Sequence, residues 1–276
     1  LIINYFFFLI YQIFFLNNFL LIELDLYKLR EIVGILILIF GFFFLGLYDD
    51  KYNLSPTKKL FFSLILILIA ISLNQILKIQ YLNTSFYTNT IFLENFSTIF
   101  TIFCFIILVN SLNFYDGING QSCLFFIIAF TFLYIISGKN EFYLFNIFFL
   151  LTILLLNLKN KLFFGDGGIF FLSTIISVSF IYEYNVEKNI KFVEEIFFLL
   201  LLPGFDLVRL TFIRVFNGKN AFIGDREHLH HLINNKLSLT LTNLVLVFSI
   251  LTPVILFSFL DIGFYYVFLI FIFIYI

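Results

Sequence analysis

Apolar residues occur along this chain in long runs that are separated by short polar stretches. Ten runs of about 15–22 residues are each long enough to cross a hydrocarbon core about 30 Å thick. Backbone groups in lipid must be paired within their own segment, so these runs predict helices, and there is no period-two alternation typical of a membrane β-barrel. The predicted spans are 3–22, 32–48, 59–77, 96–112, 121–137, 142–157, 168–182, 195–213, 241–260 and 262–276. We therefore predict an all-α, polytopic membrane helical bundle that forms one domain over residues 1–276.

The composition supports a membrane protein and excludes several other classes. Hydrophobic residues make up 62% of the 276 residues and charged residues 12%, against about 45–50% and about 25% in soluble domains. Soluble globular proteins, disordered chains and disulfide scaffolds are thereby excluded, and we interpret Cys104 and Cys123 as apolar fillers. The net charge of −1 gives no reason to expect a nucleic-acid partner. Because the chain begins with Leu1 and contains no Met, we expect that its true start is missing.

The charged residues distinguish the two ends of the predicted bundle. Alternate crossings place the loops after spans two, four, six and eight on one side, together with ten of the sixteen Lys and Arg residues. The positive-inside rule predicts that this side is cytoplasmic. Six of the eight Asp residues and all three His residues also belong to it, whereas eight of the nine Glu residues lie outside. Short carboxylates suit a metal or phosphate site, so we predict a cytoplasmic active face.

The first of these loops contains two adjacent carboxylates, Asp49 and Asp50, where a helix leaves the membrane. A Ser55-Pro56 turn and the basic residue Lys59 follow. Adjacent carboxylates repel each other unless a cation lies between them. The alternative interpretation of this loop is a solvated helix end.

The second loop has polar residues at every third position, namely Asn113, Asp116 and Asn119. On a helical stretch this spacing puts three oxygen ligands on one face. Gly117 and Gly120 allow close approach by a phosphate or by another backbone segment. A polar turn rich in Asn, Asp and Gly is an equally good interpretation.

The third loop places Asp166 between glycines at the start of a predicted helix. Free backbone N–H groups and the positive end of the helix dipole favour anions there. A carboxylate at this position can hold a divalent cation while the N–H groups hold the phosphates that the cation bridges. An ordinary N-cap Asp is the alternative.

The fourth loop is basic and contains Arg226, His228, His230 and His231. Three His residues can bind zinc, but closed four-coordinate sites usually add Cys or a carboxylate. Among so many basic residues we favour phosphate recognition, with imidazole and guanidinium groups as donors. A plain amphipathic surface helix is the third interpretation.

Asp206 and Arg209 are separated by three residues inside the eighth predicted span, just after Pro203-Gly204. This arrangement predicts a helix kink with an internal ion pair, and charge at such depth is functional or structural by default. We favour a structural role in supporting the fourth loop. A cation-coupled transporter is the alternative from another functional class, but it should place ionisable residues near the midplane and show inverted repeats. The polar residues cluster instead at one face, and the sequence shows no evident repeat.

Together, the four loops resemble the signatures of the polyprenyl-phosphate N-acetylhexosamine-1-phosphate transferase family. Asp49-Asp50, followed by Leu54-Ser55-Pro56 and Lys59, resembles its first signature. Stretches 113–120, 163–168 and 218–231 resemble, in the same order, its Asn-x-x-Asp-Gly-x-Asp/Asn-Gly stretch, its metal-site loop and its basic histidine loop. Asn119 stands where many members have a second Asp, and Ile169 stands where Ser is usual. Members usually begin with another span, which we expect this chain to lack.

The resemblance implies transfer of a HexNAc-1-phosphate, most simply GlcNAc-1-phosphate, from a UDP-sugar to undecaprenyl phosphate with release of UMP. It implies Mg²⁺ as cofactor, with Mn²⁺ as a substitute, and a bacterial inner membrane location; the sequence leaves a homodimer open. The catalytic residues implied are Asp49, Asp50, Asp116 and Asp166, of which Asp166 and Asp50 would hold the metal. The substrate-binding residues implied are Lys59, Asn113, Asn119, Asn157, Phe163, Arg226, His228, His230 and His231. The related lipid I synthase, a phospho-MurNAc-pentapeptide transferase, is the alternative within the class, and the His-Leu-His-His sequence favours the sugar-phosphate branch.

Overall fold

A computed structural model of the protein describes residues 26–218 and 227–275. The predicted span 3–22 and the candidate residue Arg226 lie outside the described residues. Within them, ten α-helices are joined by short loops, and one β-hairpin and two short 3₁₀ helices lie in the connections. The helices are α1 (Leu26–Tyr52), α2 (Pro56–Leu73), α3 (Ser97–Tyr115), α4 (Gln121–Ile136), α5 (Glu141–Leu158), α6 (Gly165–Asn185), α7 (Val193–Phe216), α8 (Leu229–Asn234), α9 (Leu239–Ser258) and α10 (Phe264–Tyr275). The strands are β1 (Tyr81–Thr84) and β2 (Tyr87–Phe92), and the 3₁₀ helices are Gln75–Leu77 and Glu94–Phe96.

The prediction of an all-α, polytopic membrane protein is confirmed. Seven helices of the described residues are long and apolar enough to cross a membrane, and α4 and α10 are shorter apolar helices. Each of the nine predicted spans after the first coincides with one of these helices. The total of ten spans stays a prediction.

Local sequence explains where several helices begin. Pro56 stands in the first turn of α2, where its missing N–H costs nothing. Asn140 caps α5 by accepting a hydrogen bond from the Phe142 backbone N–H at 2.9 Å. Gly120, with a φ of 88°, adopts the left-handed conformation that lets the chain turn from α3 into α4. These short turns keep consecutive helices antiparallel.

Helix α6 lies at the centre of the bundle. In its most apolar stretch 72% of the residues are buried, against 39% or less in the other six long apolar helices. One face of α6 packs in a cluster that includes Leu38, Phe42, Ile67, Phe105 and Phe170. The other face joins a larger apolar cluster with α4, α5, α7 and α9. Because α6 begins with the third candidate loop, its burial gives that loop a rigid base.

The β-hairpin lies between α2 and α3, at the end of the bundle opposite the four candidate loops. The buried carboxylate of Glu194 accepts hydrogen bonds from the backbone N–H and the hydroxyl of Ser85 at 2.6 and 2.9 Å. The rings of Tyr81 and Tyr184 pack against each other with centroids 5.1 Å apart. The hairpin is therefore attached to the ends of α6 and α7, away from the candidate site.

Candidate active site

The four candidate loops meet at one end of the bundle. Helices α1, α3, α5 and α7 end there, and α2, α4 and α6 begin there, because consecutive long helices alternate in direction. Hydrogen bonds, ion pairs and ring contacts then connect each loop to at least one of the others. The structure therefore brings together residues that are far apart in sequence, such as Asp50 and Asp166, which are separated by 116 positions.

Lys59 lies at the centre of a charged cluster formed by three of these elements. Its ammonium forms an ion pair with Asp49, at the end of α1, and another with Asp166 of α6, whose Oδ2 is 3.0 Å away. The Asp49 side chain is 7% exposed and that of Asp166 is 31% exposed. The Asp49 Oδ1 atom also accepts the Leu54 backbone N–H at 2.7 Å, which fixes the carboxylate. Asp166 is thus the more accessible of two carboxylates that share one cation.

Asp50 has a different environment from its neighbour Asp49. Its two oxygens accept the backbone N–H groups of Asp166 and Gly167 at 2.8 and 3.0 Å. These are orphan donors at the N-terminus of α6, where the helix dipole stabilises a negative charge. The N-terminus of α6 was predicted to attract an anion, and in the structure that anion is the Asp50 carboxylate. Asp50 was predicted to bind the metal, but both of its oxygens already accept hydrogen bonds from backbone N–H groups.

The donor set around Lys59 fits a hard divalent cation. Asp49 and Asp166 present two carboxylates to the Lys59 ammonium, which a divalent cation would have to displace from at least one of them. Mg²⁺ is commonly bound by one or two carboxylates together with substrate phosphates and water. Asp166 and Asp49 are the residues whose side chains could hold it without disturbing the start of α6.

The second and third loops are joined by a network of amides. The side chain of Asn157 accepts the Gly120 N–H at 2.6 Å and donates to the Leu162 carbonyl at 2.8 Å. The Asn119 side chain donates to Asn160. Asn243, on α9, donates to the Asn119 carbonyl at 2.9 Å. Asn157 thus acts as a buried brace between loops, and sequence reasoning missed the roles of Asn160 and Asn243 because isolated Asn residues give no recognisable signal.

Asp116, Asn113 and Phe163 present more open surfaces. Although the Asp116 side chain is exposed, the protein around it displaces enough water to raise the pKa of its carboxyl. Asn113 is partly exposed one turn earlier. The Phe163 side chain is 65% exposed, although it is strongly apolar. These three residues are accessible to a ligand at this end of the bundle.

The fourth loop is anchored on the polar pair inside α7. The predicted ion pair is confirmed, since Arg209 Nη2 donates to Asp206 Oδ1 at 2.8 Å. Arg209 also donates to the Glu227 carbonyl at 2.7 Å, and the other carboxylate oxygen of Asp206 bonds to His228 Nδ1 at 2.9 Å. Sequence reasoning missed Tyr275, whose hydroxyl accepts the Arg209 Nε–H at 2.8 Å.

His228 and His230 pack against the second loop in a stack of rings. The His228 ring stacks on Phe114 and on His230, with centroid separations of 5.8 and 5.3 Å and interplanar angles of 21° and 11°. His230 is 1% exposed, and a Cβ on Gly117 would overlap its imidazole. Burial, with His231 and His228 nearby, lowers the pKa of His230 to about 3. His230 is therefore neutral and links two loops, whereas His231 is partly exposed.

Comparisons with known proteins identify the family of this chain. Residues 32–183, more than half of the chain, match the model of glycosyl transferase family 4. The chain is 28% identical over 208 residues to the undecaprenyl-phosphate alpha-N-acetylglucosaminyl 1-phosphate transferase of Yersinia pestis, a match that covers 69% of this chain and 55% of that protein. It is 24% identical over 196 residues to a probable undecaprenyl-phosphate N-acetylglucosaminyl 1-phosphate transferase of Bacillus subtilis (strain 168), covering 68% and 54%.

The chain spans about half the length of these curated relatives. The family match begins in α1 and ends within α6, so it contains the Asp49-Asp50 pair, Lys59, the second loop and Asp166. These are the elements that build the charged cluster and its surroundings. From the extent of this match, the chain belongs to glycosyl transferase family 4.

Proposed function

We propose that this protein transfers a HexNAc-1-phosphate, most simply GlcNAc-1-phosphate, from a UDP-sugar to undecaprenyl phosphate and releases UMP. The proposal rests on one observation. The Lys59 ammonium forms ion pairs with both Asp49 and Asp166 at the end of the membrane bundle where the four loops meet. The reaction joins two anions, so charge neutralisation and positioning are its main requirements. The two curated relatives, whose names are those of undecaprenyl-phosphate N-acetylglucosaminyl 1-phosphate transferases, support the same reaction class.

An apolar groove beside the cluster supports a lipid acceptor. The groove has a volume of about 700 Å³ and is lined by residues of α1 and α2 that include Phe44, Tyr48 and Phe61. Lys58 lines the same groove near the end where Lys59 enters the charged cluster. A prenyl chain in the groove would remain in the hydrocarbon region while its phosphate reached the two lysines. We assign the groove to the prenyl chain of undecaprenyl phosphate.

In the proposed reaction, an oxygen of the lipid phosphate attacks the sugar-bearing phosphorus of the UDP-sugar. The bond from that phosphorus to the oxygen shared with the uridine phosphate breaks, and UMP leaves with the electron pair. Lys59 attracts the lipid phosphate, and Asp49 holds the Lys59 ammonium in place. The lipid phosphate can arrive as a dianion, so Asp49 need not remove a proton. Mg²⁺ (or Mn²⁺), held by Asp166 with Asp49, would neutralise charge on the diphosphate when bound.

Polar and aromatic residues around the cluster are assigned to the UDP-HexNAc. Phe163 offers an open ring for stacking on uracil. Asp116, Asn113 and Asn119 line the second loop, and the fourth loop supplies His228 and His231 for the diphosphate or sugar. Arg226 is assigned to the same loop by resemblance. Asp50, Asn157 and His230 are assigned to holding the loops in register, because their side chains contact other protein groups.

We further propose a bacterial inner-membrane location with the four loops in the cytoplasm, where UDP-sugars are present. Ten of the sixteen basic residues on that side support this orientation. The product, a lipid-linked diphosphate sugar, would start a cell-envelope polysaccharide.

The test measures UMP release by the protein in membranes supplied with undecaprenyl phosphate and Mg²⁺. UDP-GlcNAc, UDP-GalNAc and UDP-MurNAc-pentapeptide are offered separately, and Asp166→Asn is compared with Asp261→Asn, the same change in the exposed turn before α10. We expect release from a simple UDP-HexNAc that chelator or Asp166→Asn abolishes and Asp261→Asn leaves intact. Release from the pentapeptide donor alone would assign the protein to lipid I synthesis. Release from none of the three donors by folded protein would overturn the proposal.

A further inference from the structure

We propose that Asp206 is a positioning residue that orients His228 for the transfer reaction. It holds the Nδ1–H side of the ring toward α7, so that Nε2 is the nitrogen available to the substrate. The inference rests on the proposed function, because it assigns a supporting residue to the same site. Asp206 and Tyr275 lie beyond the residues that match the family model.

The contact between the two side chains is buried on both sides. Asp206 is 4% exposed and His228 is 5% exposed, and Asp206 Oδ2 lies 2.9 Å from His228 Nδ1. An ionised carboxylate only accepts hydrogen bonds, so Nδ1 must carry the proton. The pair therefore fixes Nδ1 as the ring nitrogen that faces α7, and we assign Nε2 to the substrate.

The carboxylate is itself held rigidly. Its Oδ1 atom accepts Arg209 Nη2 at 2.8 Å, the Leu229 backbone N–H at 3.2 Å and the Tyr275 hydroxyl at 3.3 Å. Arg209 also donates to the Glu227 carbonyl, at the point where the fourth loop approaches α8. The same ion pair thus fixes the backbone before His228 and the ring of His228.

Ring stacking fixes the plane of the imidazole. Phe114, from the second loop, and the neutral His230 both stack on the ring of His228, with centroids 5.8 and 5.3 Å away. A ring that stacks on two neighbouring rings and is hydrogen-bonded through Nδ1 has little freedom to rotate. Such a constraint is what a histidine oriented for a substrate requires.

The same residues invite comparison with a metal centre. Ligand atoms of Asp206, His228 and His230 all lie within 4.8 Å of one another. The guanidinium of Arg209, however, already places a positive charge on the Asp206 carboxylate, and the Leu229 N–H and the Tyr275 hydroxyl bond the same group. A metal cation there would be repelled by Arg209, and it would have to replace the hydrogen bond between Asp206 and His228 Nδ1. The geometry therefore favours an oriented hydrogen bond, and metal binding becomes an outcome of the test.

The first experiment observes the histidines directly. The protein contains three His residues, so ¹⁵N-histidine labelling gives few NMR signals, and His228→Asn assigns those of His228. We expect Nδ1 of His228 to be protonated with a strongly deshielded proton, which Asp206→Asn removes and Asp261→Asn leaves. An unprotonated Nδ1, or a stoichiometric bound metal whose removal changes these signals, would overturn the proposal.

The second experiment is a double-mutant cycle on kcat/KM. His228→Asn retains a donor near the Nδ1 position but loses the group at Nε2. We expect Asp206→Asn alone to lower kcat/KM by about tenfold or more, the loss expected for a hydrogen bond to a charged group. In the His228→Asn background it should lower kcat/KM no further. Equal losses in both backgrounds would show that Asp206 acts only on the fold.

The two experiments distinguish failure of this proposal from failure of the proposed function. If the wild-type protein releases UMP from none of the donors, the transferase assignment fails, and the orientation of His228 by Asp206 is still decided by the NMR signals. If it releases UMP and the cycle is additive, the transferase assignment stands and Asp206 is not a positioning residue.

Discussion

Asp50 accepts a hydrogen bond from the backbone N–H of Asp166 at 2.8 Å, across 116 positions of sequence. The adjacent Asp49 instead contacts Lys59. The two neighbouring carboxylates thus have separate tasks, because one holds the charged cluster and the other completes the first turn of α6. This division orients the Asp166 side chain toward Lys59.

Asp50→Ala should therefore affect folding as well as activity. It removes the acceptor for two N–H groups of α6, which we expect to lower the free energy of unfolding by about 1–2 kcal/mol. Asp166→Asn keeps both backbone donors paired and should leave stability nearly unchanged while it abolishes UMP release. Thermal unfolding in detergent, measured beside the transfer assay, distinguishes the two variants. An Asp50→Ala protein of wild-type stability that no longer responds to Mg²⁺ would instead identify Asp50 as a metal ligand.

Lys59→Met should increase the stabilisation that Mg²⁺ provides. Without the ammonium, Asp49 and Asp166 face each other with no counterion, and losing one partner of a largely buried pair costs about 3 kcal/mol. A divalent cation can replace part of that charge. We expect a larger Mg²⁺-induced rise in Tm for Lys59→Met than for the wild type, and a wild-type response for Lys161→Met, which alters an exposed lysine. Equal Mg²⁺ responses in all three proteins would place the cation elsewhere.

The sequence predicts the helices well because each apolar run must satisfy its own backbone in lipid. It also predicts that the four polar loops share one end, since that follows from alternating crossings. It misses the β-hairpin because its strands have only four and six residues and include Asn and Thr among exposed positions. It also misses how Asp50 is used, because the partners are backbone groups of a helix that packing alone brings near. Tyr275 and Asn243 contribute through tertiary contacts that no local spacing encodes.

Gly117 is predicted to tolerate no side chain. A Cβ there would overlap the imidazole of His230, so Gly117→Ala should push the second and fourth loops apart at a cost of about 1–3 kcal/mol. Gly204→Ala is the matched control, because a Cβ at that position in α7 meets no atom within 4 Å. It should be neutral or stabilising by up to about 1 kcal/mol, the difference in helix propensity. Equal free energies of unfolding for the two variants would contradict the close contact between Gly117 and His230.

Phe163→Ala should weaken donor binding with little effect on the fold. The side chain is 65% exposed, so its removal exposes almost no new core surface. If the ring stacks on uracil, we expect KM for the UDP-sugar to rise about 5- to 10-fold, as for loss of one aromatic contact, while KM for the lipid acceptor is unchanged. Phe163→Tyr should restore most of the affinity. A fall in kcat with both KM values intact would assign Phe163 to a different step.

The buried His230 should make the fold sensitive to acid. Its pKa is lowered to about 3 by burial and by the neighbouring histidines, whereas an unfolded histidine titrates near 6.5. Between these values the unfolded state binds a proton that the folded state does not, so stability is complete above pH 6.5 and falls as the pH decreases toward 3. At pH 5 the loss amounts to about 2 kcal/mol.

We expect His230→Phe, which keeps an apolar ring in the stack, to show a smaller decrease in Tm between pH 7 and pH 5 than the wild type. His231→Asn alters the partly exposed neighbour. It should show nearly the wild-type decrease in Tm between pH 7 and pH 5, apart from its small effect on the pKa of His230. If His230→Phe and the wild type lose stability in parallel, the acid sensitivity arises from other groups and His230 is not the neutral link between the loops.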